Sequence, residues 1–361
     1  MCAKPISNLD APTRDLLDHA MRWMDERWDA AEGLLVARPD DAYSDHRSDT
    51  TVHVVRESSQ YALGLLMRGQ HGDVERAICT LAAVLAWQFD EPGQPYHGTW
   101  RRAPQEPHPP ENPVIWRDYD PNWREFIGTV LAIILLEYEP LLPHELVMQI
   151  DNALRKAIAG TLARDLPATY TNIALMQAFL LRFCADRFHE PAWSTRAEQR
   201  AEEIYKLFTL HNAFWEYNSP TYYGIDLYAL ALWRTYSTSP VLRERGAAME
   251  AELWRDVAQF YHADLRNVAG PYDRSYGMDM QRYIACIGLW IYMAVGREQA
   301  PVPDLTQPFE HAWDICMVPN YAILGVRIPD DALPHFRAFQ GEHLVEHVIS
   351  DAPRRAATAW L

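Results

Sequence analysis

The sequence predicts an all-α chain, an (α/α)6 toroid of helical hairpins with its long loops gathered on one face. Two observations predict it. Apolar residues recur at helical spacing almost throughout the 361 residues, and the period-two alternation of strands is nearly absent. The connections between helical segments also alternate in length. GLLVARPDDAYSDHRSD (33–49), the proline-rich stretch 91–120, HNAFWEYNSP (211–220) and LRNVAGPYDRSYG (265–277) are long, whereas RGQHG, EPLLP, DRFHEP, YSTSP and GREQAPVP are short. Successive connections in a stack of antiparallel helices fall on opposite ends, so the long loops share one face and the short turns the other. That elaborated face would be the cup of the toroid. No repeat of fixed period points to a solenoid, and no composition shift divides the chain, so one domain over 1–361 is expected.

Helices are expected over 11–31, 50–69, 73–90, 121–139, 143–163, 170–187, 194–211, 221–237, 243–263, 278–296, 304–316 and 340–350. Asp120-Pro121, Pro143 and Ser239-Pro240 supply starts, with a cap residue or a proline in the first turn. Gly69 or Gly72 supplies a stop. Over Phe126, Val130, Ile133, Ile134 and Glu137 the apolar face spreads almost all round, the mark of an inner helix packed on both sides. The aromatic residues Tyr96, Trp100, Trp116 and Tyr119 mark 91–120 as a loop packed against the body rather than a linker.

Composition is globular, with 48% hydrophobic and 23% charged residues. Lys plus Arg is 33 against 49 Asp plus Glu, a net charge of −16 with no basic run, which disfavours nucleic acid and anionic lipid as partners. The start MCAKPISNLDAPTRD lacks the apolar core of a signal peptide, and the aliphatic run Val130 to Leu136 is far too short to span a bilayer. Cys2, Cys79, Cys184, Cys286 and Cys316 lie far apart without a CxxC, which reads as reduced thiols in a cytoplasmic protein. Nothing in the sequence decides for or against a homo-oligomer.

Nucleotide, zinc-protease, serine-hydrolase and kinase motifs are absent. No histidine pair has ligand spacing beside a third ligand, so neither a metal nor an organic cofactor is expected. What remains is a series of polar-aromatic clusters on the elaborated face. The first, 43–57, offers His46, His53, Arg56 and Glu57 for acid/base work or substrate binding. His97 and Trp100 follow in Tyr-His-Gly-Thr-Trp, where a loop imidazole could titrate near neutrality. Trp116, Asp118 and Tyr119 offer an aromatic face with a carboxylate, while Asp120 reads as a helix cap. Asn172 begins a helix as a cap or as an amide facing substrate. The densest clusters are Glu216, Tyr217, Asn218, Tyr222, Tyr223 and Asp226, and then Tyr272, Asp273, Arg274, Tyr276 and Asp279.

The stretch Glu216-Tyr-Asn-Ser-Pro-Thr-Tyr-Tyr-Gly-Ile-Asp-Leu-Tyr-Ala-Leu resembles the tyrosine segment of heparinase II/III-like and alginate-lyase-like polysaccharide lyases. Asn172-Ile-Ala-Leu-Met-Gln-Ala-Phe-Leu-Leu resembles their Asn-led helix. The resemblance implies a toroid and β-elimination, with Asn172 neutralising a substrate carboxylate and Tyr222 as acid/base. Tyr223 stands where those lyases carry a histidine.

The expected activity is therefore a cofactor-independent carbon–oxygen lyase acting on a small molecule or oligosaccharide. Its catalytic candidates are Tyr222, Tyr223, Asn172, His97, Arg274 and Asp279, with Arg274 charging the site and Arg56 in reserve. His46, His53, Trp100, Trp116, Asp118, Tyr119, Glu216, Tyr217, Asn218, Tyr272 and Tyr276 are the binding candidates. The alternatives are a terpenoid or polyketide dehydratase, isomerase or cyclase, a glycoside hydrolase pairing Asp118 or Asp120 with Asp279, and a non-enzymatic helical scaffold.

Overall fold

Asp10 accepts a hydrogen bond from Thr13 N at 2.9 Å, and Pro12 occupies the first turn, which starts helix α1 (Ala11–Asp25). The computed structural model describes residues 9–39, 50–274, 276, 278–350 and 354–360. After α1 the chain forms a small antiparallel sheet, β1 (Trp28–Asp29), β2 (Leu34–Ala37) and β3 (Val52–Val54), with Leu35 opposite Val54. The expected helices over 11–31 and 50–69 are thus each shorter, with Trp28–Asp29 at the end of the first and Val52–Val54 at the start of the second drawn into strand pairing. Helix α2 (Val55–Arg68) ends at Gly69, whose φ of 60° takes the left-handed conformation a glycine adopts without strain.

There follow α3 (Asp73–Ala86), α4 (Trp123–Tyr138), α5 (His144–Arg164), α6 (Thr171–Phe188), α7 (Pro191–His211), α8 (Tyr222–Tyr236) and α9 (Pro240–Phe260), the last capped by Ser239. A two-stranded pair, β4 (Tyr261–His262) and β5 (Asn267–Val268), leads to α10 (Cys286–Val295). A 3₁₀ turn (Ala312–Met317) then enters α11 (Val318–Leu324), followed by α12 (Leu333–Arg337) and the hairpin β6 (His343–Ser350) and β7 (Arg354–Trp360). The chain is predominantly helical, and its strands are short.

Packing follows chain order. α2 pairs with α3, α4 with α5, α6 with α7, and α8 with α9. Across these pairs α2 packs on α4, α4 on α6, α6 on α8, and α8 on α10 and α11, while α11 returns to α2. α4, α6, α8 and α10 are buried almost all round, as the apolar spread over 126–137 predicts, whereas α5 and α7 bury one face. Fully buried indoles join neighbours in this inner set. Trp233 Nε1 donates to Leu175 O and Trp290 Nε1 to Gly224 O, both at 2.9 Å. At Gly224 α8 approaches the start of α10 so closely that a Cβ would stand 2.4 Å from Cys286 Cβ.

Three sequence expectations fail here. The helix expected over 340–350 is strand β6, whose Leu344, Val345, Glu346, His347 and Val348 alternate between exposed and more buried positions as they pair with β7. The helix expected over 304–316 is displaced to the 3₁₀ turn and α11, and the one expected over 278–296 begins at Cys286. α11 is buried from end to end, so it carries no polar stripe from which periodicity could be read. The loop 91–120 does pack on the body. Arg124, 1% exposed, donates to His97 O at 3.0 Å and Pro95 O at 2.6 Å, and Thr99 Oγ1 donates to Asp120 O at 2.6 Å. No helix among the described residues is long and apolar enough to cross a membrane.

Candidate active site

A cavity of about 540 Å³ opens where the first turns of α2, α4, α6, α8 and α10 converge. α2 contributes Arg56, Glu57 and Gln60, α4 contributes Asn122 and Phe126, and α6 contributes Tyr170 and Asn172. Thr221, Tyr222 and Ile225 come from α8, and Cys286 begins α10. The long loops close it with Trp116 and Asp120 from one and Arg274 and Tyr276 from another. The dipoles of several helix starts point their positive ends at this cavity.

Tyr222 sits at the centre of the polar wall. Its hydroxyl lies 2.6 Å from that of Tyr276, and the guanidinium carbon of Arg274 lies 5.4 Å from its ring centroid. The same guanidinium lies 5.9 Å from the ring of Tyr170. Burial, ahead of the Tyr276 contact, pushes the Tyr222 phenol far above its ordinary value, and Arg274 opposes that rise only in part. The Tyr222 phenol therefore keeps its proton at physiological pH. Arg274 adopts φ 51°, and its carbonyl accepts from Ser219 Oγ at 3.1 Å, which ties its loop to the segment before α8.

Asn172 does not act as a cap. Its Nδ2 donates to Glu216 Oε1 at 3.0 Å, and both residues are almost fully buried. Behind this pair lies Asp226, fully buried, with neither carboxyl oxygen hydrogen-bonded. Burial, then the charge of Glu216, raises the Asp226 carboxyl well above its usual range. Burial raises Glu216 as well, against a lowering hydrogen bond from Thr171. A raised folded-state pKa contributes stability at pH below the unfolded value and loses it as pH rises toward the folded one. Asp226→Asn keeps the volume, removes the charge and offers a donor to Glu216. The Tm of this variant relative to the parent is expected to climb between pH 4.5 and pH 8, reflecting about 1–3 kcal/mol. Parallel Tm curves in thermal melts would show that Asp226 finds a partner in solution.

Of the expected site residues, the structure brings Trp116, Asn172, Tyr222, Arg274 and Tyr276 together in the cavity, and Glu216 stands directly behind Asn172. Arg56, Glu57 and Asp120 line it as well, and the remaining candidates do not. Tyr223 is fully buried on the other side of its helix turn and donates to Asp256 Oδ2 at 3.3 Å. His97 accepts from Glu91 N at 3.1 Å inside its own loop, and burial lowers its pKa. Asp279 closes a turn by accepting from Gln281 N. His53 joins Asp29 at 3.1 Å and Gln105 at 2.8 Å, fastening the small sheet to loop 91–120. Trp100 is buried in the core, and Tyr119 packs with Phe89 and Tyr96. Asp118 accepts from Val114 N and from Arg117 at the loop surface. Tyr217 meets His347, Asn218 donates to Ala269 O and Pro271 O, and Tyr272 donates to Val268 O. His46 lies outside the described residues.

Sequence reasoning missed His311, Trp313, Asp314 and Met317, which line the cavity from the turn before α11. Phe309-Glu-His-Ala-Trp-Asp has the polar-aromatic style of the other loops, and that is the signal that would have found it. Among the described residues no group of three His, Cys, Asp or Glu side chains is placed to hold a metal ion.

Residues 14–326 match the family described as Domain of unknown function (DUF8769). No curated protein matches the chain.

Proposed function

The chain belongs to the DUF8769 family, and we propose that it is an enzyme, a carbon–oxygen lyase acting by acid/base chemistry on a small molecule or short oligosaccharide. The observation that carries this reading is the Tyr222 hydroxyl, hydrogen-bonded to Tyr276 and with Arg274 over its ring, in the wall of a cavity of about 540 Å³. That volume suits a ligand of drug or disaccharide size. Neutral Tyr222 donates its proton to the leaving oxygen as the C–O bond breaks. Arg274 and Asn172 hold an acidic or carbonyl group of the substrate and stabilise the charge that develops on it. A carboxylate takes the proton from the neighbouring carbon. Glu57, Asp120 and Asp314 are the carboxylates that line the cavity, and one of them is the acceptor in this reading.

The same proposal covers the architecture. α2, α4, α6, α8 and α10 would form the inner ring of an (α/α) toroid and α3, α5, α7 and α9 the outer ring, supported by the return of packing from α11 to α2. The likeness to heparinase II/III-like and alginate lyases agrees with both parts. Hydrolysis by Asp118 or Asp120 paired with Asp279 draws less support, because Asp120 lines the cavity and Asp118 and Asp279 do not. Among the described residues Cys79, Cys184, Cys286 and Cys316 are free thiols, which favours a reducing, cytoplasmic setting.

The test is incubation with a panel of uronides and terpenoid alcohols, read by mass spectrometry and by absorbance at the enol-ether band. Loss of one water, or chain cleavage with new unsaturation, is expected. Gain of water on cleavage, without unsaturation, would replace the lyase reading with hydrolysis.

A further inference from the structure

The hairpin β6–β7 lies outside residues 14–326, the part of the chain that the family covers, yet one of its side chains reaches the framework of the cavity. His347 Nδ1 lies 3.2 Å from Asp256 Oδ1 and 3.1 Å from the hydroxyl of Tyr217. Asp256 is 4% exposed, and its other oxygen accepts from the Tyr223 hydroxyl. The Asp256 contact is at ion-pair distance without hydrogen-bond geometry, and the hydrogen bond of Nδ1 goes to the Tyr217 hydroxyl. The imidazole also stands edge-on to Phe260, with centroids 5.5 Å apart.

Both phenols lead back to the candidate site. The carbonyl of Tyr217 accepts from Asp273 N at 2.9 Å, one residue before Arg274. Asn218 and Ser219, next in the chain, bind the carbonyls of Ala269, Pro271 and Arg274. Tyr223 follows Tyr222 directly, and its backbone N donates to Ser219 O at 2.9 Å. The hairpin thus touches the Arg274 loop through Tyr217, and the start of α8 through Asp256 and Tyr223.

We propose that His347 is a positioning residue: docked on Tyr217 and Asp256, it holds the segments that carry Tyr222 and Arg274 in register across the cavity wall. Its removal leaves a buried carboxyl and a buried phenol without their shared partner, beside a cavity of about 400 Å³ through which water can enter. A cluster so opened relaxes locally before the inner helices do. The inference rests on geometry alone and holds whatever reaction the cavity performs.

Amide hydrogen exchange on the full chain tests it without a substrate. In His347→Ala, peptides over 216–224 and 265–274 are expected to exchange about 5-fold faster or more, while peptides over 55–68 and 123–138 keep the parent rate. His347→Gln, which restores a polar group at that position, should recover part of the protection. Tyr217→Phe, which removes one hydroxyl and keeps the ring, should act in the same direction as His347→Ala. Faster exchange confined to the hairpin would overturn the proposal. So would a rise spread equally over α2 and α4, since His347 would then support the whole fold rather than this wall.

Discussion

Tyr222→Phe is expected to fold as the parent does and to lose turnover by roughly 10²–10⁴-fold, the range for removing a general acid or base. The substitution deletes one oxygen and leaves the ring, which is half-buried against Arg274 and Tyr276. Because burial holds the phenol neutral, the loss should fall on kcat rather than KM, and the parent should show no phenol ionisation on the acid side of its pH profile. The companion variant Tyr223→Phe should leave turnover nearly intact, since Tyr223 points to Asp256 and does not line the cavity. Steady-state kinetics on the substrate found with the panel, alongside thermal melts, separates the two. Normal turnover in a well-folded Tyr222→Phe protein would remove this residue from the mechanism.

Gly160→Ala is expected to lower Tm by about 5–10 °C or to prevent accumulation of folded protein. Helix propensity argues the other way, since alanine is favoured over glycine inside a helix by about 1 kcal/mol. Packing wins. A Cβ at 160 would stand 2.1 Å from His97 O and 2.4 Å from Arg124 Nε. Neither neighbour can give way cheaply. Arg124 is buried, burial lowers its pKa to about 10, and its bonds to His97 O and Pro95 O compensate a guanidinium withdrawn from water. Breaking such a buried, hydrogen-bonded charge costs about 3–5 kcal/mol. The loop so displaced carries Trp116 and Asp120, so any surviving protein should also bind ligand more weakly. An unchanged or higher Tm would show that α5 can shift to admit the methyl group.

Helical content was legible in the sequence because amphipathic helices repeat their apolar residues at a fixed spacing and announce their ends. Gly69 and Ser239 act where such signals are read. The wholly buried α11 and the strand β6 were not legible. The first has no polar face to set a period, and the second depends on pairing with β7, a partner that local pattern does not reveal. In the candidate site the polar-aromatic density of 214–230 and 270–280 pointed to Tyr222, Arg274 and Tyr276. Density alone did not separate Tyr222 from Tyr223, because adjacent residues on a helix face about 100° apart and only packing decides which face is open.

The sequence by itself determined a predominantly helical, acidic chain whose long loops carry tyrosine, arginine and carboxylates, because composition and periodicity are properties of the chain alone. Only the tertiary structure decided which of these side chains share a cavity. Asn172 meets Glu216 across 44 residues of sequence, Tyr222 meets Tyr276 across 54, and Tyr217 meets His347 across 130. Each contact is fixed by how the helices pack, and a hydrogen bond reaches only about 3 Å, so small differences in that packing decide whether it forms.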